Sequence, residues 1–123
     1  MLRTNVIDLI VKLALREDVG SRDVTTSAII PKNAHVKAGI QAKAPGILCG
    51  IEIAELVFRY VDENLRFLPV GKDGDTLEPG QEIAYIEGSA ASVLIAERTA
   101  LNFLSHLSGI ATLTRKFVDR VKG

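Results

Sequence analysis

Apolar residues recur at helical spacing through the last third of the chain. At about 100° per residue, Val93, Ala96, Ala100, Phe103, Leu104, Leu107 and Ala111 fall within one band. The band predicts a helix that starts near Ala90 and lays one side on a core. Across from it, Arg98, Asn102, Ser105 and Gly109 follow one another at i, i+4, i+7 and i+11, a polar stripe between Leu94 and Leu101. Ser108-Gly109 predicts an interruption, after which Leu113, Phe117 and Val121 resume an apolar face in a second helix running to Lys122-Gly123.

The pattern upstream is shorter in period. Val6, Leu9, Ile10, Leu13 and Ala14 predict an amphipathic helix, capped by Thr4 or Asn5 and stopped at Gly20. Arg16-Glu17-Asp18 and Ser21-Arg22-Asp23-Val24-Thr25-Thr26 then read as turn, where Asp23 and the threonines bond local backbone. Alternation from His35 to Ile40, and again through Ile47 and Leu48, predicts two strands joined by a Pro45-Gly46 turn into a hairpin. Ile51 to Tyr60 returns to helical spacing, with Ile53, Ala54, Val57 and Phe58 on one face. Leu65 to Val70 and Ile83 to Ile86 predict strands, separated by turns at Lys72-Asp73-Gly74-Asp75 and Glu78-Pro79-Gly80. Helix, strands, helix, strands and two helices make an α+β layered domain.

Composition narrows this to a globular class. Of 123 residues, 47% are hydrophobic and 24% charged, which disfavours disorder. Fifteen Lys+Arg balance fifteen Asp+Glu, so there is no basic footprint for nucleic acid, which is excluded as an expected partner. Cys49 is the only cysteine, so an internal disulfide and a cysteine zinc site are excluded and a reducing cytoplasm fits. The N-terminal residues lack a signal-peptide layout and no apolar run is long enough for a membrane span, so no membrane partner is expected.

The portable catalytic motifs (P-loop, GxGxxG, HExxH and GxSxG) are absent. His35 reads as a sheet residue, and His106 gains interest only from sharing a helix with Arg98. Asp73, Asp75 and Glu78 lack an EF-hand layout and read as turn residues. The segment from Gly74 to Ala84 resembles the hairpins of biotinyl and lipoyl carrier domains, but Lys72 lacks the neighbours of a modified lysine. Arg98 is the outstanding candidate. Between apolar shoulders, a guanidinium is satisfied by a carboxylate, phosphate or carbonyl, and left alone once desolvated it costs several kcal/mol. Either it reaches solvent or pairs with a nearby acid such as Glu97 or Glu87, or it binds an anion from outside.

Six motifs taken in order resemble quinolinate phosphoribosyltransferase, also called nicotinate-nucleotide pyrophosphorylase (carboxylating). They are Leu15-Arg16-Glu17-Asp18-Val19-Gly20, Asp23-Val24-Thr25-Thr26, Ala44-Pro45-Gly46, Asp73-Gly74-Asp75, Glu97-Arg98-Thr99-Ala100-Leu101-Asn102 and Leu107-Ser108-Gly109-Ile110-Ala111-Thr112. The resemblance implies an N-terminal α/β sandwich over residues 1–108 with its linking helix, and the start of an α/β barrel at 109–123. It implies a homodimer in which each sandwich covers the other subunit's barrel mouth. The reaction it implies joins quinolinate and phosphoribosyl pyrophosphate, with Mg2+ present, to give nicotinate mononucleotide, pyrophosphate and CO2 in NAD biosynthesis.

By the same resemblance, Arg98 reaches the partner's active site to bind the dianionic substrate, with Glu97 and Asn102 as supporting residues behind it. The family's Asp-Thr-Arg-Lys-Thr strand, His-Arg pair and metal-holding acids are missing from this sequence. The expectation is therefore an N-terminal piece with no catalytic or metal-binding residue of its own, inactive alone. The alternatives are a stand-alone binding or dimerisation module, and a related nicotinate-type or molybdenum-transport-associated phosphoribosyltransferase.

Overall fold

The computed structural model describes residues 6–17 and 33–122. The expected caps at Thr4, Asn5 and Gly20 and the turn through Thr26 lie outside the described residues. Along the chain run α1 (residues 6–17), β1 (His35–Gln41), β2 (Gly46–Ile47), α2 (Ile51–Val61), β3 (Arg66–Pro69), β4 (Thr76–Leu77), β5 (Glu82–Ser89) and α3 (Ala90–Lys122). This is the α+β class, with the helices packed on one face of a three-stranded antiparallel sheet of order β1-β5-β3.

The sheet follows from alternation. In β1, His35, Lys37, Gly39 and Gln41 face out, while Val36, Ala38 and Ile40 turn inward opposite Gly88, Ile86 and Ala84 of β5. A bulge between Ile40 and Gln41 lets Ile83 and Ala84, neighbours in sequence, both be buried. The expected hairpin between β1 and β2 does not form. β1 pairs with β5, and β2 pairs with β4 in a separate two-stranded sheet. The physical reason is ladder length: β5 offers a partner along the whole of β1, whereas β2 is two residues long and follows the Lys43–Pro45 bend, where Pro45 has no N–H to give.

α2 buries Ile51, Ala54, Val57 and Phe58, while Ile53, expected on that face, is only half-buried. The Phe58 ring lies 5.8 Å from that of Phe67, joining α2 to β3. Its N-terminus is capped from a distance: Asp73 Oδ1 accepts the N–H groups of Gly50 and Ile51 at 3.0 and 3.1 Å. At the other end, Asp62 accepts the Ser92 hydroxyl at 2.8 Å and ties α2 to the first turn of α3.

Two further expectations are corrected. α3 is one helix of 33 residues and does not break at Ser108-Gly109. A helical glycine costs about 1 kcal/mol against alanine, and tertiary bonds of about 1 kcal/mol each outweigh that here, since Ser108 and Thr112 both bond to the 47–49 segment. In α1, Val11 and Leu15 are buried with Ile7 packed beside them, whereas Val6, Leu9, Ile10 and Leu13 of the expected face are exposed. α1 carries apolar residues on more than one side, so periodicity alone left its docking side open. The Val11 side lies on the core, and Lys12 reaches over the Tyr60 ring of α2 at 5.3 Å.

The α1 correction predicts that Val11→Ala lowers stability by about 2 kcal/mol. Leu9→Ala should stay within about 0.5 kcal/mol in equilibrium denaturation at concentrations where the chain is monomeric. For the α2 cap, Asp73→Ala should cost about 1–2 kcal/mol and Asp73→Asn clearly less, because an asparagine oxygen also accepts the two N–H groups.

Candidate functional site

Ser89 ends β5 and Ala90 begins α3 with no loop between them, and the Ala90 N–H donates to the Ala34 carbonyl. The sheet therefore sets the rotation of α3 at its first residue. Val93, Ala96, Ala100 and Leu104 are then buried, as the apolar band predicts, and Thr99 is buried beside them. The polar stripe of Arg98, Asn102, Ser105 and Gly109 is exposed along its length.

Within this chain Arg98 is exposed and not shielded, since Leu94 is itself exposed and Leu101 half-buried. Neither acid weighed as its partner takes it. Glu87 stands 3.9 Å from His35 Nε2 on the outer face of the sheet, and no hydrogen bond or ion pair joins Arg98 to Glu97 or Asn102 among the described residues. Glu97 is half-buried, and Asn102 is exposed one turn beyond Arg98. The structure thus places the three predicted residues on one stretch of helix but does not bond the two supporting ones to the arginine. His35 is a sheet residue, as expected.

A groove of about 840 Å³ begins at Asn102 and runs between α3 and the segment 40–48. Its floor is apolar, with Leu48, Leu77, Ile83 and Leu104, and its polar lining includes Lys43, Asn102, Ser105 and His106 but no carboxylate. Lys43 and His106 stand on separate segments, and the sequence draws attention to His106 only through the helix it shares with Arg98. The groove that joins them depends on β2 leaving β1, and that separation carried no signal in the alternation.

Cys49, next in sequence to the groove residue Leu48, is not a poised nucleophile. Burial, and then the Asp73 carboxylate, push its thiol above the ordinary value, so the proton is held. Asp73 and Asp75 accept backbone N–H groups, of Gly50 and Ile51 and of Lys72, which accounts for them as turn and cap residues. Among the described residues no group of three His, Cys, Asp or Glu is arranged to hold a metal ion. These residues do not fit a magnesium site, so no chemical step is assigned through one. No helix among the described residues is long and apolar enough to cross a membrane.

Comparison with known proteins gives this geometry a context. Residues 23–108 match the family described as quinolinate phosphoribosyl transferase, N-terminal domain. The chain is 41% identical over 111 residues to the chloroplastic nicotinate-nucleotide pyrophosphorylase [carboxylating] of Arabidopsis thaliana, covering 89% of this chain and 32% of that protein. It is 37% identical over 113 residues to a probable nicotinate-nucleotide pyrophosphorylase [carboxylating] of Methanothermobacter thermautotrophicus, covering 92% of this chain and 40% of that one. The crystal structure of NadC from Streptococcus pyogenes superposes with a TM-score of 0.89 at 42% identity, over 95% of this chain and 42% of that chain. The chain thus spans between a third and two-fifths of the length of the two curated relatives. With both its sequence and its fold matching, the chain belongs to the quinolinate phosphoribosyl transferase family and corresponds to that family's N-terminal domain.

Proposed function

We propose that this chain is the N-terminal part of a phosphoribosyltransferase that joins quinolinate to phosphoribosyl pyrophosphate, yielding nicotinate mononucleotide, pyrophosphate and CO2 in NAD biosynthesis. In this reading two copies form a homodimer in a reducing, cytoplasmic setting, and Arg98 of each enters the active site of the other. The carrying observation is Arg98 itself. A guanidinium stands exposed, with no ion pair or hydrogen bond to its side chain among the described residues, at the head of a polar stripe in a domain whose relatives are named as quinolinate phosphoribosyltransferases. Its planar fork matches a carboxylate pair bidentately, and the attraction strengthens once a second subunit excludes water from it.

Chemistry on the ribosyl carbon is assigned to residues outside this chain, as is the magnesium the reaction would use. The chain's part is to orient and hold charge. The reading sets the boundary to a following domain at residue 108, and the thinning of contacts along this part of α3 supports it. Thr112 is the last residue bonded back to the sandwich, and from Leu113 onward the described side chains are exposed.

A second reading, a dimerisation module without catalysis, is favoured by one observation, the exposed apolar face of α1. The two readings separate on Arg98. In the native polypeptide that carries this chain, Arg98→Ala should remove about 2–4 kcal/mol of transition-state stabilisation, roughly 30- to 900-fold in kcat/KM for quinolinate. Arg98→Lys should recover only part of it, because a point charge replaces a fork. Steady-state kinetics with quinolinate varied provides the check. Unchanged turnover in Arg98→Ala removes Arg98 from the site, and native protein that dimerises without binding quinolinate favours the second reading.

A further inference from the structure

The segment leaving β2 has its N–H groups pointing alternately to two sides. Leu48 donates to the Asp75 carbonyl, on the side where β4 pairs. Ile47 and Cys49 point the other way, where among the described residues no strand lies alongside, and α3 takes both bonds. The Ile47 N–H donates to Thr112 Oγ1 at 2.9 Å, and the Cys49 N–H donates to Ser108 Oγ at 2.9 Å. Each hydroxyl also passes on its own proton, Ser108 to the Cys49 carbonyl at 3.2 Å and Thr112 to the Ser108 carbonyl at 2.7 Å.

The fit is a matter of pitch. Residues two apart on an extended segment lie about 6.6 Å apart, and residues four apart on one helix face rise by about 6 Å. A hydroxyl pair at i and i+4 therefore stands in for a neighbouring strand. The approach is so close that side chains are excluded opposite it. A Cβ at Gly46 would meet Thr112 Oγ1 at 2.7 Å, and one at Gly50, whose φ is +105°, would meet Leu107 Cδ1 at 2.8 Å.

α3 has no buried residue after Leu104, and Gly109, the weakest helical position, lies between the two hydroxyl-bearing residues, where a Cβ would meet nothing within 4 Å. We propose that Ser108 and Thr112 are positioning residues, a two-hydroxyl latch that keeps α3 straight across Gly109 and so fixes the direction in which the helix leaves the sandwich relative to Arg98. The inference rests on the reading above, in which Arg98 serves a site completed by other domains. A swing of the helix at Gly109 would then displace Arg98 from the substrate it binds.

The test is made on the native polypeptide with Thr112→Val and Ser108→Ala, which remove the hydroxyls, and Gly46→Ala, which displaces the Thr112 hydroxyl from the opposite side. Arg98→Ala serves as the reference and Thr112→Ser as the rescue. Amide exchange at Ile47 and Cys49 should quicken roughly tenfold in the hydroxyl variants. kcat/KM for quinolinate should fall roughly ten- to a hundredfold through KM, with KM for phosphoribosyl pyrophosphate unchanged and Thr112→Ser restoring both readouts. Unchanged exchange, or faster exchange with unchanged kinetics, overturns the proposal and leaves the hydroxyls a purely structural role. If Arg98→Ala abolishes quinolinate turnover while the latch variants keep it, only this inference falls. If Arg98→Ala has no effect, the functional reading falls with the kinetic half of this one, and the exchange data still decide whether the latch exists.

Discussion

The fold depends on how closely two helices lie together on a small sheet. Ala54 of α2 and Ala96 and Ala100 of α3 are fully buried, and so are Val57, Phe58 and Ile86 around them. Alanines at the contact let the helix axes approach toward the short end of the usual 8–10 Å range, and the larger side chains fill the space at the flanks. Replacing any of these alanines with a longer side chain would separate the helices and lift α3 from β5, with which it is continuous. Among the described residues little else compensates, because α1 contributes few fully buried residues and the second sheet is built of two short strands.

That constraint divides α3 into two parts with different duties. The first half is held by burial, and its outward stripe is free to carry polar groups. The second half is held by hydrogen bonds to the 47–49 segment and presents apolar residues to solvent. Arg98 sits within the burial-held half, on the outer side of its anchored turns. An exposed guanidinium is inexpensive to maintain in the free chain and strongly favourable once an anion and a water-excluding surface arrive together. The sequence leaves open an arginine that reaches solvent and one that is shielded; in the structure Arg98 is exposed.

Much of this architecture was legible from periodicity, and the failures have a common cause. The band of α3, its start near Ala90, most of the α2 face and the two turns flanking β4 all follow from local spacing. The pairing of β1 with β5 did not, because alternation marks a strand without naming its partner. The docking side of α1 was misread because several of its faces are apolar and tertiary contact chose among them. The break at Ser108-Gly109 was misread because local propensity counts the glycine and misses bonds to residues almost sixty positions away. At the site, Arg98 and its stripe were visible as a pattern, whereas the groove beside them arises only when the chain folds back.

The exposed apolar residues finally bear on what the domain is for. Val6, Leu9, Ile10 and Leu13 on α1, and Ile110, Leu113, Phe117 and Val121 on α3, are each about half to two-thirds open to solvent. Single exposed apolar side chains are ordinary, but helical faces with four such residues each mark places where another protein surface rests. On α3, Leu113, Phe117 and Val121 lie beyond Thr112, the last described residue hydrogen-bonded back to the 47–49 segment. On α1 they sit on the outer side of a helix already docked through Val11 and Leu15. Apolar area open on both helices, together with an exposed Arg98 on the burial-anchored part of α3, leaves this domain with surface that its own described residues do not cover.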